Sequence, residues 1–71
     1  MAKMRWQVAL DVLLEYHTHS QIADMAGASE ASVSGWVNGR HEPGGLRKRK
    51  LVAECEARYP DDLERNLDAK G

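Results

Sequence analysis

Phenylalanine is absent from this chain of 71 residues, and its aromatic side chains are Trp6, Tyr16, Trp36 and Tyr59. The single cysteine, Cys55, excludes an internal disulfide and suits a reducing compartment, where a buried thiol behaves as a small hydrophobe. No apolar run approaches the roughly 20 residues that span a bilayer, and the first residues lack the apolar stretch of a secretory signal. We therefore expect a soluble, cytoplasmic protein that has no contact with a membrane.

The side-chain arrangements that are typical of enzymes are also missing. There is no phosphate-binding glycine loop and no Ser-His-Asp signature. His17 and His19 are two residues apart and do not share a helix face, and no cysteine is near them, so a zinc site is not expected. We expect a protein that is not an enzyme and that uses neither a cofactor nor a small-molecule ligand.

The net charge of −1 hides an uneven distribution of charge along the chain. Residues 1–50 contain seven Lys and Arg against five Asp and Glu, whereas residues 51–71 contain three against six. Four of the cations are consecutive, at 47–50. Because a local basic patch sets the field that phosphates meet, the slightly acidic total does not exclude nucleic acid as a partner.

Hydrophobic periodicity predicts a single all-α domain of four to five short helices, and no segment alternates with the period of a strand. The predicted helices cover residues 4–16, 20–25, about 29–38, 46–58 and 61–69, with frayed final residues. The first helix is expected to pack across the second and third, and the fourth to close the core. The predicted buried face of the first helix consists of Trp6, Ala9, Leu10, Leu13, Leu14 and Tyr16.

Local signals mark the helix ends. Thr18 and Gln21 have the spacing of a capping box, and Ser29 is a second N-cap candidate. Gly27 and Asn38-Gly39 follow helices at positions where a left-handed residue ends them. Pro60 is expected to end the fourth helix, because the residue before a proline avoids the α region.

The stretch from His19 to Gly39 reads HSQIADMAGASEASVSGWVNG and predicts two short helices joined by a tight turn. Ala23 has to be small because the third helix crosses the second near it, and Gly27 makes the turn. The apolar contacts that lock the two helices come from Ile22, Val33 and Trp36.

These positions resemble the helix-turn-helix of the Cro and phage-repressor family. The resemblance is carried by Ala23, Gly27, Val33, Trp36 and the Asn38-Gly39-Arg40 ending, and it covers residues 4–43. It implies a lambda-repressor-like helical domain of phage or prophage origin, usually dimeric, that binds an operator of two half-sites. The chain departs from the family at His19, where Gln often opens the second helix, and at Glu30 and Ala31, where a stronger base reader is often found. The target sequence is therefore not carried over.

The third helix presents small and polar residues opposite Val33 and Trp36, which suits a major groove about 12 Å wide. We assign base reading to Ser29, Glu30, Ala31, Ser34 and Gly35. Ser29 is also the N-cap. Glu30 has two accounts of equal weight, a favourable charge at the helix start or an acceptor for cytosine N4. A glycine at 35 costs roughly 0.5–1 kcal/mol relative to alanine, which indicates a close approach by DNA or by a partner.

Phosphate contacts are expected around this helix. The resemblance adds such a contact at Asn38, and Arg40 and His41 follow the helix directly. The run at 47–50 wraps around a helix turn, so only part of it can face one partner. The assigned residues are His19, Gln21, Asn38, Arg40, His41, Arg47 and Lys48.

The sequence therefore predicts a DNA-binding transcriptional regulator that reads a palindromic operator in double-stranded DNA as a homodimer. Two surfaces are candidates for the dimer, an apolar stripe of Tyr59, Leu63 and Leu67 and the loop at 43–46. The alternative is a protein-interaction module on the same fold, similar to an antitoxin. A third reading, an accessory subunit of a recombination enzyme, would require a partner chain.

Overall fold

The computed structural model describes residues 3–70, and this part of the chain is helical without strands. It contains five helices, α1 (Arg5–Tyr16), α2 (His19–Ala26), α3 (Glu30–Asn38), α4 (Gly45–Arg58) and α5 (Pro60–Lys70). The predicted all-α domain is confirmed, and each predicted helix is present with ends that differ by about one residue. The predicted fraying of the last few residues stays a prediction: α5 extends to Lys70, and Gly71 lies outside the described residues.

The predicted end signals are present as hydrogen bonds. Thr18 Oγ1 accepts from the Gln21 backbone N–H at 3.2 Å, and Gln21 Oε1 accepts from the Thr18 N–H at 3.0 Å, which completes the capping box. Ser29 Oγ accepts from the Ser32 N–H at 3.1 Å. Helix α4 ends at Arg58, two residues before Pro60, and the proline itself begins α5. Local chemistry therefore fixes where these helices begin and end.

One apolar core holds the five helices together. α1 packs chiefly against α4 and α5, and α2 packs against α3 and α4. This differs from the expected packing of α1 across α2 and α3, because α5 brings Leu63 into the core and rests Leu67 against it. The core is formed by Trp6, Val8, Ala9, Leu10, Val12, Leu13, Ile22, Ala23, Ala26, Val33, Trp36, Leu51, Cys55 and Leu63.

Tyr16 does not belong to the buried face of α1, which corrects the sequence prediction, and its side chain is 50% exposed. Its ring stacks on that of Tyr59 with a centroid distance of 4.2 Å, and its hydroxyl donates to the Asp62 carboxylate. This hydrogen bond, together with partial desolvation, raises the pKa of Tyr16. Tyr16 therefore lies at the surface of the domain, where its contacts help to hold the start of α5 in place.

The proposed dimer stripe of Tyr59, Leu63 and Leu67 is also corrected by the fold. Leu63 is buried and Leu67 packs against the core. The Tyr59 hydroxyl lies 2.7 Å from Nε2 of His17. These three residues dock α5 onto its own domain, so they are not available as an interface between copies of the chain.

Within residues 3–70, none of the helices combines the length and the apolarity that crossing a bilayer demands. The thiol of Cys55 is fully buried, and this burial raises its pKa to about 11. The cysteine therefore contributes to the core as a neutral apolar group.

Two leucines of α4 provide a matched test of this core. Leu51 is 0% exposed and Leu46 is 67% exposed. Leu51→Ala should lower the free energy of unfolding by about 2–5 kcal/mol, because it removes buried methyl groups and leaves a cavity. Leu46→Ala should change it by less than about 0.5 kcal/mol. Urea unfolding followed by circular dichroism measures both, and equal losses in the two variants would contradict the described packing.

Candidate nucleic-acid interface

The turn between α2 and α3 is built around Gly27, which adopts a left-handed conformation with φ 68° and ψ 38°. Its N–H points to the carbonyl oxygens of Ala23 and Asp24, and the Ala28 N–H donates to the Ala23 carbonyl at 2.9 Å. These bonds satisfy the last carbonyls of α2 and turn the chain sharply. Because α3 starts three residues after Gly27, its direction relative to α2 is set here.

Apolar packing fixes the angle between the two helices. Ile22 and Val33 are fully buried, and Ala23 and Trp36 are nearly so. These residues all belong to the core, and α2 packs against α3. Trp36 also lies beside Trp6 and Leu10 of α1. The opposite side of α3 is thereby turned away from the core.

That outer side of α3 is small and polar. Glu30, Ala31 and Asn38 are exposed, and Ser34 is half-buried. The Asn38 Nδ2 group donates weakly to Ser34 Oγ at 3.4 Å. Glu30 is in the first turn of the helix, so both accounts of this residue stay open. The side chains on this face extend only a short distance from the helix backbone. The face can therefore come close to a flat or grooved partner.

Gly35 is placed differently from the sequence prediction. Gly35 is buried, and the group that approaches it closely is another side chain of the same protein and not DNA or a partner. A Cβ atom at this position would lie 2.1 Å from Nε2 of His41. The imidazole ring of His41 therefore lies against α3, one helix turn from Ala31. It occupies space that the side chain of any residue other than glycine would fill.

The start of α2 is partly occupied by its own cap. Oε1 of Gln21 accepts from Thr18 and lies 3.3 Å from Nδ1 of His17, whereas the Gln21 amide nitrogen has no partner in the described chain. His19 is half-buried. No acidic residue is present in this first turn, so the positive end of the helix dipole is not neutralised there.

The basic run of α4 divides between two places. Nη2 of Arg47 donates to the Gly27 carbonyl at 3.0 Å, and Lys50 Nζ also approaches Gly27. Lys48 instead pairs with Glu42 at 2.8 Å and lies 5.6 Å from the centre of the Trp6 ring. The run therefore places two cations beside the α2–α3 turn, and Lys48 is used within the fold.

The cations without an ion-pair partner are clustered. Within residues 3–68, Lys3, Arg5, Lys48, Arg58 and Arg65 each pair with a carboxylate. The cations that remain in this range are Arg40, Arg47, Arg49 and Lys50. All four lie between the end of α3 and the first turns of α4. Arg47 and Lys50 lie beside the turn before α3, and Arg40 directly follows the end of this helix. Arg49 instead borders the groove between α1 and α4.

Sequence reasoning missed the contacts that join distant parts of the chain. Three such contacts join distant parts of the chain: the hydrogen bond between Tyr59 and His17, the stacking of Tyr16 on Tyr59, and the packing of His41 against Gly35. Only the glycine in the middle of a helix gave a signal, and that signal pointed to a close approach without naming its source.

Comparisons with protein-family models, with curated protein sequences and with solved structures find no match for this chain. The interpretation of the surface around α3 therefore depends on its residues and their arrangement.

Two glycines of the α3 region test the described geometry. Gly35→Ala should raise the free energy of unfolding by about 0.5–1 kcal/mol, because alanine favours the helix and the exposed His41 ring can rotate away. Gly39 has a φ of 75° and nothing near its missing side chain, so Gly39→Ala should lower it by about 1–2 kcal/mol through backbone strain alone. Thermal unfolding measures both variants, and a large loss in Gly35→Ala would mean that His41 is held rigidly.

Proposed function

We propose that this chain is a sequence-specific DNA-binding transcriptional regulator, in which α2 and α3 form a helix-turn-helix and α3 enters the major groove. The single observation that carries the proposal is the position of unpaired cations at both ends of α3, with Arg47 and Lys50 beside the turn before it and Arg40 directly after it. A short polar helix flanked by free Lys and Arg is the arrangement that reads bases while contacting phosphates.

The charges of the remaining chain agree with this orientation. α5 carries Asp61, Asp62, Glu64 and Asp68, which would repel phosphates, and its residues pack on α1 and α4. DNA bound along α3 would meet the basic segment at 40–50. Because phosphate contact supplies most of the non-specific affinity, the position of the unpaired cations matters more than the net charge of −1.

We divide the proposed roles according to the contacts that each side chain already makes. Arg40 and Lys50 are proposed as phosphate contacts because neither forms an ion pair within residues 3–68. Arg47 retains donors besides the one bound to Gly27. Lys48 would first have to leave Glu42. Asn38, His19 and the amide nitrogen of Gln21 complete the proposed phosphate set. Base reading is proposed for Ser29, Glu30, Ala31 and Ser34.

Arg40 provides the test of phosphate contact. Arg40→Ala should weaken binding to all duplexes alike and reduce the slope of log affinity against log salt by about 1, because one fewer counterion is released. Arg65→Ala is the matched control, since it removes the same charge from α5, where Arg65 pairs with Asp62. Fluorescence anisotropy over a salt series measures both slopes. Equal slopes for Arg40→Ala and the unaltered chain would remove Arg40 from the interface.

We further propose that two copies bind one operator. A single recognition helix reads too few base pairs to select one site, and a dimer places two helices in major grooves about 34 Å apart. With the α5 stripe used inside the domain, the remaining candidate surface is the segment at 43–46, which comprises the end of a loop and the first residues of α4. Leu46 is 67% exposed there, while Pro43 is buried.

Selection from random duplexes, followed by sedimentation of the selected complex, tests the operator and the dimer together. The expected result is a palindromic site with half-sites about one helical turn apart and two chains per duplex. Leu46→Asp should reduce the second binding step and leave the fold intact. One chain bound per duplex, on a site without symmetry, would contradict the proposed dimer.

A protein-interaction module is the second candidate, and one observation favours it. A groove of about 360 Å³ lies between the start of α1 and α4, lined on its apolar side by Met4, Trp6, Val52 and Ala53. Met4 is 59% exposed. Absence of salt-dependent binding to any duplex in the selection would favour this function over DNA binding.

A further inference from the structure

We propose that His41 contacts a base edge in the major groove, with its imidazole ring lying against Gly35 of α3, and that it determines the base preferred at one position of each half-site. This inference rests on the function proposed above. It assigns His41 to sequence specificity, whereas sequence analysis assigned it to the phosphate backbone. The two assignments differ in a measurable way, because a phosphate contact carries no sequence information.

The first step is the position of the imidazole ring. The atoms of His41 nearest to a Cβ built on Gly35 are Nε2 at 2.1 Å, Cδ2 at 2.7 Å and Cε1 at 2.8 Å. All three lie closer than a real Cβ atom would allow. The ring therefore packs against the backbone of α3, although His41 lies three residues beyond the end of that helix.

The second step is the face on which the ring lies. Gly35 is four residues after Ala31 and three before Asn38, so these residues share one side of the helix. Ala31 and Asn38 are exposed, whereas Val33 and Trp36 point into the core. The imidazole therefore lies beside the side of α3 that is proposed to face the bases. Ala31 is too short to reach far and has no polar side-chain atom, so His41 adds the polar side chain that this part of the face lacks.

The third step is the chemistry that the ring presents. His41 is exposed, and its imidazole makes no side-chain hydrogen bond within residues 3–68. An imidazole nitrogen can donate or accept a hydrogen bond. In the major groove each base presents its own pattern of donors and acceptors, whereas phosphates are alike at every position. A ring held against α3 can therefore distinguish bases at one position of a half-site.

Site selection with the full chain and two variants tests the inference. His41→Ala should lose the base preference at one position of each half-site by about tenfold, while the other positions keep theirs. Gly35→Ala should lose the same preference, because its methyl group occupies the place of the ring. The double variant should lose no more than either single change, since both act on one contact.

Arg40→Ala is the control for a neighbouring residue, and it should weaken binding without changing the selected bases. Base preferences that are unchanged at every position in His41→Ala would overturn the inference. So would a uniform loss of affinity for all duplexes in that variant, which is the behaviour of a phosphate contact. A site selected by the unaltered chain but insensitive to both changes refutes the role of His41 and leaves the proposed function standing. No selected site for the unaltered chain would overturn both.

Discussion

The left-handed turn at Gly27 is the constraint on which the rest of this surface depends. Its N–H is bonded to the end of α2, and its carbonyl accepts from Arg47 at the start of α4. One residue thus joins α2, α3 and α4. An L-residue with a side chain would have to adopt the same positive φ at a cost of about 1–2 kcal/mol. With the turn fixed, burial of Ile22 and Val33 determines which side of α3 stays outside.

The same contact organises the positive charge. Arg47 is drawn to the Gly27 carbonyl and Lys50 lies close by, so the basic run of α4 is partly aligned with the turn. Arg40 lies at the other end of α3, directly after the helix end at Gly39. The carboxylates of α4 and α5 pair with Arg5, Arg58 and Arg65 at other places. A chain with a net charge of −1 can therefore present a basic surface on one side.

The parts of the fold that depend on neighbouring residues were predictable from the sequence. The capping box of Thr18 and Gln21 and the turn at Gly27 each use atoms within a few residues, and they appear where the sequence placed them. The errors concern contacts across the chain. Tyr16 fits the apolar face of α1 by spacing, but the arrival of Tyr59 and α5 keeps it at the surface. Spacing alone contains no information on which distant segment will cover a given side chain.

The candidate site was predictable to a similar extent. Spacing alone gave the outer face of α3, because the buried residues Val33 and Trp36 identify the opposite side. The division of the basic run was not predictable, since Lys48 is drawn to Glu42 and Trp6 by tertiary contacts. The most direct test of the account is an NMR titration of the labelled chain with duplex DNA. The account predicts amide shift changes at the start of α2, along α3 and at 40–50, lost at high salt, with α5 unaffected. Changes confined to α5 or to the groove at Met4 and Val52, or no changes with any duplex, would contradict it.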